Sequence, residues 1–97
     1  MAAYVVGQVT VQDAEAYDEY RKRASVAVEK YGGRFLVRGG RVLNLEGEEP
    51  TTRNVILEFD SIETIERWFN SPEYQDAKTY RIDPKVAVGN FMALEGL

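Results

Sequence analysis

Arg38, Arg81, Glu58, Tyr20 and Tyr74 are the side chains of this chain best suited to chemistry. An arginine offers a planar fork of donors, which fits a carboxylate or an enolate. Arg38 and Arg81 are therefore the expected anion-binding residues. The plainer role for either is an ion pair with Glu46 or Glu58, or a solvated surface position. Glu58 stands between Leu57 and Phe59 in an apolar run. A carboxylate on a covered sheet ionises less readily than in water and can act as a base. Its plainer role is a pair with Arg38 or Arg53. Tyr17, Tyr20 and Tyr31 recur at helical spacing, which suits core packing with the hydroxyls at the rim. Tyr20 is the one expected to face a pocket, where with Glu58 it is the candidate catalytic group. Tyr74 follows Ser71-Pro72-Glu73 and can reach a pocket mouth, whereas Ser71 reads first as a helix cap.

The residues that are missing narrow the chemistry. The sequence holds no Cys and no His. A cysteine nucleophile and a Ser-His-Asp triad are thereby excluded. Zinc is disfavoured, because its sites draw on His and Cys, and a proximal His ligand to haem is impossible. Any general base is an Asp, Glu, Lys or Tyr. No metal and no cofactor are expected. The formal net charge is -4 with the two signs interspersed, so the basic footprint of a nucleic-acid binder is absent. The glycine pairs at Gly32-Gly33 and Gly39-Gly40 lack the spacing of phosphate-binding loops. No apolar run is long enough for a membrane helix, and no signal peptide is read at the N-terminus. With no cysteines, a reducing cytoplasm is compatible and is the expected location.

These side chains must be positioned by a small scaffold. The chain has 97 residues, of which 44% are hydrophobic, enough for one domain, 1–97, with one modest core. Residues 4–11 read as a strand with apolar residues on both faces. Asp13 caps a helix running to about Tyr31, which Gly32-Gly33 ends. Residues 34–38 read as a strand. Gly39-Gly40 interrupts it and Val42 to Glu46 resumes it, as a bent strand or a tight hairpin, with the bent strand favoured. Asn54 to Phe59 is a further strand. Asp60 or Ser61 caps a second helix with Ile62, Ile65, Trp68 and Phe69 on its apolar stripe. Ser71-Pro72-Glu73 starts another, short helix. Val86 to Leu94 is the last strand. Gln8 and Asn90 should be neighbours on adjacent strands, bonding across a dimer or lining a polar cavity. The order strand, helix, strand, strand, helix, strand is that of a ferredoxin-like α+β sheet with helices on one face. Its other face carries apolar residues that a second copy can cover.

The ordered set Asp13, Tyr17, Tyr20, Tyr31-Gly32-Gly33, Arg38-Gly39-Gly40, Glu46-Gly47, Glu58-Phe59, Trp68, Ser71-Pro72-Glu73-Tyr74 and Arg81 resembles the domain of unknown function 1330 family, within the dimeric α+β barrel superfamily. The resemblance spans essentially the whole chain. It implies a ferredoxin-like protomer and a homodimer whose sheets pack into a barrel. It implies no activity, although the superfamily includes cofactor-free monooxygenases, lactone isomerases and haem-dependent enzymes. Two departures stand out: Asp60 occupies a position where proline is expected, and the stretch after Arg81 is compact. Two functions are in view. One is a cofactor-free enzyme acting on a small acidic or enolisable compound by proton transfer or oxygenation. The other is a non-catalytic homodimer that binds a small-molecule ligand or serves a structural role.

Overall fold

The β-branched run near the start of the chain forms strand β1 (Ala3–Val11). The structure, a computed structural model, describes residues 1–97. Helix α1 (Ala14–Lys30) follows, capped by the Asp13 carboxylate, which accepts from the Ala16 amide. Its C-terminus closes in a Schellman turn: Gly33 N–H donates to the Val28 carbonyl and Gly32 N–H to that of Glu29. Gly32 supplies the left-handed conformation this turn requires, with φ 78°. Strands β2 (Arg34–Arg38) and β3 (Arg53–Phe59) come next. Helices α2 (Ile62–Phe69) and α3 (Pro72–Lys78) and strand β4 (Ala87–Glu95) complete the chain. The α2 cap is Ser61 rather than Asp60, and its side chain accepts from the Thr64 amide.

The strands pair in the antiparallel order β2-β3-β1-β4. Alternation along this sheet assigns every side chain to one of two faces. Ala3, Val5, Val9, Leu57, Phe59 and Ala87 lie under the helices and join Tyr17, Tyr20, Trp68 and Tyr74 in one core. Val88, Met92 and Leu94 point the other way and are exposed. Gln8 and Asn90 are directly paired, as expected, and both are exposed on that open face.

The expected resumption of the strand over Val42 to Glu46 does not occur. Strand β2 lies at the sheet edge, and its single neighbour β3 starts only at Arg53. Residues 42–46 therefore have no strand to pair with. Gly39 (φ 71°) and Gly40 (φ 97°) turn the chain out of the sheet, and residues 39–52 form a long loop. The irregularity assigned to the glycines lies instead between Phe35 and Val37, where Leu36 is the surplus residue of a β-bulge.

Packing rather than surface charge holds this together. The Trp68 ring lies 4.4 Å from that of Tyr74 and 5.2 Å from that of Phe59. Burying an aromatic side chain contributes about 1.5–3 kcal/mol. The ion pairs, such as Arg21–Asp18 and Arg23–Glu19, are exposed, and such pairs contribute at most about 1 kcal/mol. Ser71 joins α2 to α3: its hydroxyl donates to the Trp68 carbonyl at 2.7 Å and accepts from the Tyr74 amide at 3.1 Å. Ser71→Ala breaks both bonds and is expected to cost about 1–2 kcal/mol. Urea unfolding checks this through a lowered midpoint with an unchanged slope.

Candidate functional site

Strand β3 starts one residue before the expected Asn54, and this changes the composition of the site. Arg53, Val55, Leu57 and Phe59 alternate onto the helix face, while Asn54, Ile56 and Glu58 take the open face. Arg53 thus heads a row that is otherwise apolar. The bulge at Leu36 performs a second adjustment. Phe35 and Arg38 are three residues apart, and a regular strand would point them to opposite faces. The surplus residue puts both on the helix face, opposite Leu57 and Val55. There the Arg38 guanidinium lies 3.5 Å from the centre of the Phe35 ring.

A cleft opens between α1 and this part of the sheet. Tyr17, Tyr20, Phe35, Arg38, Arg53 and Trp68 are among its lining residues. It encloses about 40 Å³, within an empty space of about 470 Å³ measured out to solvent. The enclosed part admits a water or two. No carboxylate lines it. Arg21 at its edge is paired with Asp18, whereas Arg38 and Arg53 have no acidic partner.

Arg81 packs against two of the lining side chains. Its guanidinium stacks at 4.3 Å on the Phe91 ring and 5.4 Å from the Tyr20 ring, both of which line the cleft. It donates to the Tyr74 hydroxyl at 3.1 Å, and the Tyr74 and Tyr20 hydroxyls are bonded at 3.0 Å. Three buried donors near the cleft have no partner: Arg53 Nε, Arg81 Nε and Trp68 Nε1. Leaving a buried donor unmatched costs about 1–3 kcal/mol. Several such donors, with no carboxylate facing them, leave donor capacity here that the chain's own acceptors do not fill.

Of the five expected site residues, Tyr20 and Arg38 line the cleft; Tyr74, fully buried rather than at a pocket mouth, and Arg81 are joined to Tyr20 by the bonds and stacking above and are not among the lining residues. Glu58 does not join them. It is on the opposite sheet face, where it accepts from Arg34 Nε at 2.6 Å. Its partner is thus Arg34, and neither Arg38 nor Arg53 can serve, because both point to the helix side. Tyr20 is also unsuited to be a base. Burial, reinforced by the neighbouring Tyr74 hydroxyl, raises its pKa well above the ordinary 10.0. It stays protonated, in a hydroxyl–hydroxyl bond with Tyr74 in which either oxygen can donate. Burial likewise raises Tyr17, against the opposing pull of Arg53 and Arg81. For Arg81, burial works against the charge, but Tyr74 and Tyr20 outweigh it and its pKa rises. Tyr31 does not line the cleft, and its hydroxyl donates to Glu73 at 3.1 Å. Arg53 is the residue missed from sequence. The signal was its spacing, two before Val55 and four before Leu57, which places it on their face.

Comparison with known proteins agrees with this architecture. The family described as domain of unknown function (DUF1330) matches residues 2–97, and the chain belongs to it. No curated protein sequence matches. Among solved structures, a protein of unknown function from Rhodopseudomonas palustris, RPA0582, is 20% identical with a TM-score of 0.76, covering 99% of this chain and 82% of its own. SnoaB, a cofactor-independent oxygenase from Streptomyces nogalater, is 12% identical with a TM-score of 0.68, covering 99% and 93%. A dimeric protein of unknown function and ferredoxin-like fold from Bacteroides fragilis is 12% identical with a TM-score of 0.63, covering 98% and 96%. At these identities the likeness is one of fold. No helix is long and apolar enough to cross a membrane.

The tyrosine environment has a consequence at alkaline pH. In the unfolded chain Tyr20 ionises near its ordinary 10.0, and in the folded protein well above it. The stability linked to this proton is fully present below about pH 10 and is lost as pH climbs from there toward the folded value. Absorbance titration of phenolate is expected to show Tyr20 ionising only with unfolding. Tyr20→Phe should flatten the alkaline fall in stability.

Proposed function

We propose that this DUF1330 family member binds a small organic anion in the cleft between α1 and the sheet, with Arg38, Arg53 and Arg81 as its cations. The observation carrying the reading is that Arg38 and Arg53 line one apolar cleft without an acidic partner, and that Arg81, likewise without one, packs on the Tyr20 and Phe91 rings of that cleft, in a chain whose net charge is -4. Guanidinium groups without carboxylates, beside a protonated phenol, suit a carboxylate or the enolate of an enolisable compound. The tyrosine hydroxyls add donors, and the apolar walls suit the ligand body.

For such a site the fitting catalytic role is stabilisation of negative charge on a bound enolate, without metal or cofactor. The fold shared with a cofactor-independent oxygenase makes oxygenation of that anion the reaction class to examine first. Binding without turnover is the second reading. It is favoured by one observation: Glu58, the carboxylate expected to act as base, lies on the far side of the sheet.

The protein is further proposed to work as a homodimer. Val88 (53% exposed), Met92 (57%) and Leu94 (48%) leave an apolar stripe on the open sheet face, and a second sheet packed there removes it from water. Light scattering at micromolar concentration should return twice the chain mass; a stable monomer contradicts the dimer. A thermal-shift screen of carboxylic acids and enolisable diketones should raise the midpoint of the wild type, and Arg38→Ala should diminish the effect. An oxygen electrode then separates the two roles: ligand-dependent uptake abolished by Arg81→Gln marks an oxygenase, and binding without uptake marks a carrier.

A further inference from the structure

We propose that Arg53, seated in the notch left by Gly39, is the residue that selects negative charge in this cleft. This rests on the anion-binding reading above and names its specificity determinant. The register places Arg53 opposite Val9, on the face where Val55, Leu57 and Phe59 are packed under the helices. A cation on an apolar row carries a desolvation cost that an adjacent carboxylate normally offsets. None is present here, and Arg53 Nε is buried without a hydrogen-bond partner.

Gly39 explains how the guanidinium fits. A Cβ built on Gly39 would stand 2.7 Å from Arg53 Nη1 and 3.1 Å from its Cζ. The side chain therefore occupies the place that any other residue at 39 would fill. Gly39 also has φ 71°, which disfavours a side chain on conformational grounds. Its amide donates to the Asn54 carbonyl at 2.8 Å, which fixes the notch beside the residue it serves. The other cations of the cleft are less free. Arg21 is paired with Asp18 at 3.1 Å, Arg38 is exposed and lies on Phe35, and Arg81 is bonded to Tyr74. Arg53 alone combines a half-buried side chain with a buried, unengaged donor and no aromatic partner.

Trp68 lines the same cleft and is the single tryptophan of the chain, so its indole N–H gives one unambiguous NMR signal. Uniformly ¹⁵N-labelled protein would be titrated with benzoate, cinnamate and 1-naphthoate, each against the matching uncharged alcohol. In the wild type the acids are expected to shift the indole signal saturably, binding about tenfold or more tighter than the alcohols, as one charged hydrogen bond implies. Arg53→Gln should bind acid and alcohol alike. Arg53→Lys, which keeps the charge, should retain part of the preference. Gly39→Ala, which displaces the guanidinium, should weaken the acids selectively. A wild type that binds none of the acids overturns the anion-binding reading and this inference together. A folded Arg53→Gln protein that still prefers acids to alcohols overturns the role of Arg53 alone and leaves the anion-binding reading in place.

Discussion

The arrangement of the cleft depends on side-chain alternation along β3. Val55, Leu57 and Phe59 must face the helices, because burial of their apolar surface is what attaches the sheet to the helical layer. Once those three are placed, the geometry of an extended chain leaves Arg53 no choice but to follow them inward. The same rule sends Glu58 outward, to Arg34. A hydrophobic requirement thus sorts the charges, gathering cations on one side of the sheet and leaving the carboxylate on the other. The cost of holding Arg53 beneath α1 is borne by packing that would form in any case.

The second layer is the polar chain from Arg81 through Tyr74 to Tyr20. Tyr74 is fully buried, and its hydroxyl connects Arg81, three residues past the end of α3, with the middle of α1. Ser71 places it there by starting α3 immediately after α2. The break between these helices is therefore a positioning device. It lets one aromatic ring pack against Trp68 while its hydroxyl reaches Arg81. Arg81 gains from this as well, since two phenol oxygens compensate for the water it gives up.

Much of the scaffold was legible in the residues. Caps such as Asp13, Ser61 and Ser71, the Gly32 turn and the alternation of β1 and β3 are local signals, because neighbours in the chain decide them. The family resemblance, resting on the same residues, holds over residues 2–97. What was not legible depended on partners distant in sequence. Val42 to Glu46 have strand-like composition, but whether they pair is decided by where β3 begins. Glu58 was expected to meet Arg38 or Arg53, and only the strand register reveals that Arg34 is opposite it. The Tyr20 hydroxyl looked available as a base until its burial against Tyr74 became visible.

Leu36 also bears on how this chain can tolerate changes in length. The bulge accommodates one residue more than β3 can match, and that residue is half in water, 45% exposed. Removing it would let Phe35 and Val37 become consecutive partners of Leu57 and Ile56, with Arg38 still opposite Val55. Removing a matched residue such as Val37 instead leaves Leu36 to take its place opposite Ile56. In either shortened strand, Phe35 and Arg38 keep a common face. What the arginine requires of this edge is thus a residue count: a one-residue gap can be absorbed here, whereas a one-residue gap in β3 between Arg53 and Val55 would turn Arg53 out of the cleft.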